Sequence, residues 1–201
     1  YQPSPAWLKT WRRQYPQLQH TLALTLPGRL SRLKGHEEFI ELIVRLRDQG
    51  LPVCGLIVGG EQPGRRRYAA GLRETVQARG LGDVILFTGH RSDMREIYAA
   101  STLVLSLSAQ PESFGRTALE ALSLGTPVVG YDYGGVGEIL ARLYPAGLTP
   151  FGDVAALTTK VAALLTAAPP VPSEAAFPLQ RMLDETLALY AALHQSSRKI
   201  V

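Results

Sequence analysis

Glu112 and Glu120 stand eight positions apart within Pro111-Glu112-Ser113-Phe114-Gly115-Arg116-Thr117-Ala118-Leu119-Glu120-Ala121-Leu122. Two carboxylates can share acid and base duties in glycoside hydrolysis when they stand roughly 5 to 9.5 Å apart. Eight residues of helix rise about 12 Å, so that division of labour is disfavoured. The spacing suits one extended ligand gripped at two places. Phe114, Ala118, Ala121, Leu122 and Leu124 recur near one helical stripe, which predicts a helix from Phe114 with Ser113 as its N-cap. The N–H groups of Phe114, Gly115 and Arg116 at its start attract phosphate. A ligand with an anionic middle and a hydroxyl-bearing ring at each end, a sugar nucleotide, fits this pattern.

The segment Pro27-Gly28-Arg29-Leu30-Ser31-Arg32-Leu33-Lys34-Gly35-His36 adds the cations that a diphosphate needs. Arg29 can fork onto phosphate oxygens and Lys34 can supply a point charge, together stabilising a leaving group as its negative charge grows. Cations at a helix start are unfavourable unless an anion is present. Arg32 reads as a solvated charge, and His36 as a helix-start or core residue. Gly59-Gly60 and Gly89-His90-Arg91 end two further strand patterns. The glycines permit either close backbone approach to a ligand or a tight turn, and His90 and Arg91 can flank a nucleobase. Tyr133-Gly134-Gly135 offers another set of helix-start amides, with Glu138 beside it.

These groups share one edge only if a regular scaffold places them there. Apolar strand patterns lie at 22–26, 53–58, 84–88, 102–107 and 127–131, with a weaker one at 147–149. Helical patterns lie between them, near 35–49, 65–79, 92–100, 114–124 and 135–141. Such alternation predicts an α/β fold, a Rossmann-like parallel sheet flanked by helices on both faces, and each loop named above follows the carboxyl end of a strand. Asp153 is placed to cap a helix reaching about 167. Residues 1–20 read as a linker with a short helix, 21–168 as the Rossmann-like domain, and 169–201 as a Pro-rich connector with a last helix near 178–194, whose apolar face includes Met182, Leu187 and Tyr190.

The chain has 201 residues, a formal charge of +4 and a pI near 9.4. That balance favours anionic ligands, but the cations are scattered, Arg65-Arg66-Arg67 being the one run of three, so nucleic acid is not implied. One cysteine, Cys54, excludes an internal disulfide framework, and no apolar run reaches transmembrane length. There is no P-loop, and no Gly-x-Gly-x-x-Gly after the first strand, which removes nucleoside-triphosphatase and ordinary dehydrogenase readings. No Asp-x-Asp pair or His/Cys cluster offers a metal site, so none is expected, and the cations stand in for a divalent ion.

Gly28-Arg29 with Lys34-Gly35, the Pro111–Glu120 motif, and Pro127-Val128-Val129 with Gly134-Gly135 resemble the C-terminal half of a family 4 (group 1) glycosyltransferase over about residues 22–140. The resemblance implies one half of a GT-B fold: two Rossmann-like domains face each other across a cleft, and this one binds the donor. It implies that Arg29 and Lys34 hold the diphosphate, Glu112 contacts the transferred sugar and Glu120 holds the ribose. Gly28, Gly59, Gly60, His90, Arg91, Ser113, Phe114, Gly115 and Arg116 complete the expected substrate contacts.

Implied with these are retention of anomeric configuration through a front-face, oxocarbenium-like state and no cofactor, the nucleoside-diphosphate sugar being a substrate and a UDP-sugar the first candidate. The acceptor-binding N-terminal domain is expected outside these residues. A reducing cytosol fits the lone Cys54, with peripheral contact to the inner face of the membrane expected through that other domain. Two alternatives stand beside this reading: a noncatalytic Rossmann-like nucleotide-binding or scaffold domain, and a GT-B sugar-nucleotide epimerase or phosphorylase.

Overall fold

The computed structural model describes residues 1–61, 66–172 and 177–197. Among them, six strands form one parallel sheet in the order β3-β2-β1-β4-β5-β6. The strands are β1 (Leu22–Pro27), β2 (Val53–Val58), β3 (Ile85–Gly89), β4 (Leu103–Ser106), β5 (Val128–Tyr131) and β6 (Leu148–Thr149). Every residue of β2, β4 and β5 is buried, which explains why they read as continuous apolar runs and not as alternating ones: both faces of a parallel sheet are covered by crossover helices.

Those helices are α2 (His36–Asp48), α3 (Arg66–Ala78), α4 (Met94–Ala100), α5 (Arg116–Ser123), α6 (Gly134–Leu143) and α7 (Val154–Thr166). Packing of α2 against α3 and α7 forms one layer, and of α5 against α4 and α6 the other. Phe39, Ile40, Leu42, Ile43 and Leu46 of α2 join Leu24, Leu26 and Ile57 of the sheet in the main core. Asp153 caps α7 as its position predicts, accepting the Ala156 N–H at 2.8 Å. Asp153→Ala is expected to lower stability by about 1 kcal/mol in chemical denaturation.

Strand order reverses between β1 and β4, because the chain winds outward first to β2 and β3, then on the other side to β5 and β6. In open α/β sheets the connections leave the carboxyl ends of those two adjacent strands in opposite senses, and ligands bind at that point. The Arg29–Lys34 segment leaves β1 there and the Ser108–Gly115 segment leaves β4 there.

Helices lie near both ends of the chain, where a short helix and a last helix are expected. The first, α1 (Pro5–Gln14), packs onto the sheet: Trp11 is 5% exposed, and with Tyr15 it meets Ala23, Leu56, Val58 and Ile97 in a second, smaller core. At the other end, α8 (Leu179–Ser197) leaves Met182, Leu187 and Tyr190 exposed in this chain. No helix of the described residues is long and apolar enough to cross a membrane.

Candidate functional site

At the β1/β4 switch point the two loops are joined twice. The Ala109 N–H donates to the Leu33 carbonyl at 3.0 Å, and the Lys34 Nζ reaches Glu112 Oε1 at 2.6 Å. Ser108 Oγ donates to the same carboxylate oxygen. Burial raises the Glu112 pKa, but the hydrogen bonds from Lys34 and Ser108, with the Lys34 charge, outweigh it and hold this carboxyl below its ordinary value. A cation and an anion thus meet on loops from neighbouring strands.

Lys34 owes its place to the residues around it. Its stem lies over Gly28, where an added Cβ would come 3.2 Å from the Lys34 Cδ and Cγ. Arg29 is exposed at the end of β1 and makes no ion pair among the described residues.

The Glu112 loop is buttressed from behind. The Gly135 N–H donates to the Glu112 carbonyl at 2.8 Å, and a Cβ on Gly135 would sit 2.6 Å from the Phe114 backbone. This double glycine therefore brings α6 against the loop carrying Glu112, and one of its amides is committed to the loop rather than open to a ligand.

Ser113 does not cap the following helix. The helix begins at Arg116, with Gly115 at the N-cap in the left-handed region at φ +86°. A β-carbon there would meet Val136 at 2.9 Å, so contact with α6 fixes the boundary that side-chain capping was expected to fix. Ser113 and Arg116 are exposed on either side of it. Amides of Arg116 and Thr117 lie in the first turn, where an α-helix offers no internal acceptor. Phe114 is 44% exposed and turns its ring to Phe177, 5.9 Å away edge to face, toward the connector.

Glu120 is exposed on α5 and borders α4. It lines a cavity of about 580 Å³ with Met94, Arg95, Tyr98, Leu119 and Ser123, and the Tyr98 hydroxyl donates to its Oε2 at 3.4 Å. Burial pushes the Tyr98 phenol well up, so it remains a donor. Tyr98 and Ser108 were not singled out by sequence reasoning. Ser108 had a signal, a hydroxyl four residues before Glu112 at a strand end, whereas Tyr98 sits in an ordinary helical stripe.

The remaining sequence candidates divide. Gly59 serves the fold: its missing Cβ would fall 1.9 Å from the Gly28 carbonyl oxygen. Gly60 is freer, with the nearest atom, His90 Cβ, at 3.4 Å from such a carbon, and its carbonyl accepts from the Leu30 N–H at 3.1 Å. His90 is exposed beside it. Arg91 has partners within the chain. Its guanidinium is engaged by Asp93 at 2.8 and 2.6 Å and lies 5.3 Å from the Trp11 ring, which leaves its backbone, not its side chain, for a base. His36 starts α2 and is fully buried; desolvation lowers its pKa, so the ring is neutral near pH 7.

Comparison with known proteins gives a consistent result. The family model of glycosyl transferases group 1 matches residues 9–176. Among curated relatives, the 2-deoxystreptamine N-acetyl-D-glucosaminyltransferase of Streptomyces fradiae is 38% identical over 133 residues, 65% of this chain and 31% of that enzyme. The 2-deoxystreptamine glucosyltransferase of Streptomyces kanamyceticus is 32% identical over 167 residues, 82% of this chain and 42% of that enzyme. The chain thus spans less than half the length of these relatives. The crystal structure of Anabaena HepE in complex with UDP and glucose superposes with a TM-score of 0.74 at 28% identity, covering 83% of this chain and 44% of HepE. The C-terminal domain of a group 1 family protein, LpcC of Francisella tularensis, superposes at 0.64 with 26% identity, covering 78% and 83% respectively.

Proposed function

The chain belongs to the group 1 glycosyl transferases, and from that premise we propose that it is the donor-binding unit of a retaining enzyme that moves a sugar from a nucleoside-diphosphate sugar to a carbohydrate or lipid-linked acceptor. The observation that carries this reading is the Lys34–Glu112 pair, 2.6 Å apart at the strand-order reversal. A group that binds sugar hydroxyls and a group that binds phosphate are useful side by side only where a sugar joins a phosphate. The scissile bond lies above that pair in this reading.

Arg29, Lys34 and the first-turn amides of α5 take the diphosphate charge as it grows on the leaving group. Glu112 orients the transferred sugar. The acceptor oxygen bonds to the anomeric carbon on the face from which the diphosphate departs, and the acceptor proton passes to the departing phosphate oxygen. Glu120, oriented by Tyr98, accepts hydrogen bonds from the ribose hydroxyls at the mouth of its cavity. HepE, solved with UDP and glucose, supports a UDP-sugar as the first donor to try.

Titration calorimetry with UDP, GDP and ADP, alone and as sugar conjugates, tests the proposal; folded protein that binds none of them at millimolar concentration rules it out. Glu120→Ala is expected to weaken nucleotide binding by about tenfold or more, the loss of charged hydrogen bonds. Equal affinity in variant and wild type would remove the ribose assignment.

A further inference from the structure

Asp93 occupies the N-cap position of α4, yet its side chain makes no capping bond to that helix. Aspartate at an N-cap ordinarily satisfies an amide of the first turn. Here both carboxylate oxygens are spent elsewhere. Oδ1 accepts from the Arg91 Nε at 2.8 Å, and Oδ2 accepts from an Arg91 Nη at 2.6 Å and from the Trp7 Nε1 at 2.8 Å. A seven-residue helix has little stability of its own, so tertiary contacts decide where α4 lies.

Those contacts form a closed ring with α1. Trp7 stacks on Trp11 with centroids 5.0 Å apart, the Arg91 guanidinium covers the Trp11 ring, and the Asp93 carboxylate joins Arg91 back to Trp7. Trp11 continues inward to Tyr15, 4.5 Å away, and to Ile97 of α4 in the shared core. A second tie lies at the surface, where the Tyr1 hydroxyl donates to Glu96 at 2.9 Å and the Arg95 guanidinium lies 3.8 Å from the Tyr1 ring centroid. On its other side, α4 supplies Met94, Arg95 and Tyr98 to the cavity of Glu120, and Tyr98 is the residue that donates to that carboxylate.

We infer that Asp93 is a positioning residue: by binding Arg91 and Trp7 together it clamps α4 between α1 and the Glu120 cavity, and so sets the affinity of that cavity for a nucleoside. The inference rests on the reading of this cavity as the ribose site. It gives α1 a part in ligand binding although none of its residues lines the cavity. It also accounts for an aspartate that forgoes its own helix.

The chain supplies its own reporter, because Trp7 and Trp11 are its two tryptophans. Saturation with UDP is expected to shift their emission, although neither touches the cavity. By calorimetry, Asp93→Ala is expected to raise the UDP dissociation constant roughly five- to tenfold, the scale of coupling through a packed network. Asp93→Glu should recover most of the loss, and Trp7→Phe, which keeps a ring and removes the indole donor, should reproduce part of it. In the full-length enzyme the effect should fall on the donor KM and spare kcat. Amide exchange over residues 94–100 should quicken in Asp93→Ala. Wild-type and Asp93→Ala proteins with equal UDP affinity would overturn the clamp and leave the nucleotide reading standing. Should the wild type bind no nucleotide, that reading falls, and unchanged exchange over 94–100 in the variant would overturn the clamp independently.

Discussion

Lys34→Ala is expected to lower kcat of the full-length enzyme by about 10²- to 10³-fold, the usual consequence of removing one group aimed at charge that develops in a transition state. Two losses combine. In the proposed reaction the departing phosphate loses an ammonium, and Glu112 loses the partner that offsets its burial. In the wild type, burial raises this carboxyl and the bonds and charge from Lys34 and Ser108 bring it below its unfolded value of 4.5. Its interaction therefore stabilises the folded state above pH 4.5, and the contribution disappears as pH falls through the lower folded value. In Lys34→Ala that depression weakens, so the acid limb of the pH–rate profile should move to higher pH. Lys34→Ala with Glu112→Gln should cost much less than the product of the two single effects, since the groups act as a pair. Strictly additive losses in that cycle would separate them.

Gly59→Ala is expected to destabilise the fold by about 2–3 kcal/mol, whereas Gly60→Ala should stay within about 0.5 kcal/mol. From sequence the two adjacent glycines are equivalent. In the structure a methyl at Gly59 would overlap the Gly28 carbonyl at 1.9 Å, and one at Gly60 would make an ordinary contact with His90. Relief of the first clash must push apart the loops after β1 and β2, and Arg29 follows Gly28 directly. Thermal unfolding of both variants reads the contrast, a fall in melting temperature of roughly 5–10 °C for the first alone. Similar stabilities would place that pair of loops farther apart than described.

Local pattern was enough for the scaffold. The strand pattern at 53–58 matches β2, and the weak one at 147–149 became a two-residue β6. Crossover rules then put every expected contact loop at one sheet edge. What pattern did not carry was any boundary or partner decided by packing. The helix start at Arg116 depends on Gly115 meeting Val136, and no hydrogen bond from Ser113 competes with that contact. Arg91 read as a surface group near a base because its partners, Trp11 and Asp93, belong to different elements. Trp7, Trp11 and Tyr15 carry a signal, aromatic residues spaced four apart, so the short helix within the expected linker was legible and its packing onto the sheet was not. The Lys34–Glu112 contact spans 78 positions, and the strand order that brings those loops side by side lies in no local segment.

That same contact works as a filter. A free inorganic anion approaching Lys34 must compete with a carboxylate tethered beside it, whose effective concentration lies in the millimolar range or above. A ligand that presents hydroxyls to the acid while presenting phosphate oxygens to the base compensates both groups in one event. In the proposed donor site such a ligand is expected to displace the ion pair more readily than inorganic phosphate, so cellular phosphate should be a poor inhibitor.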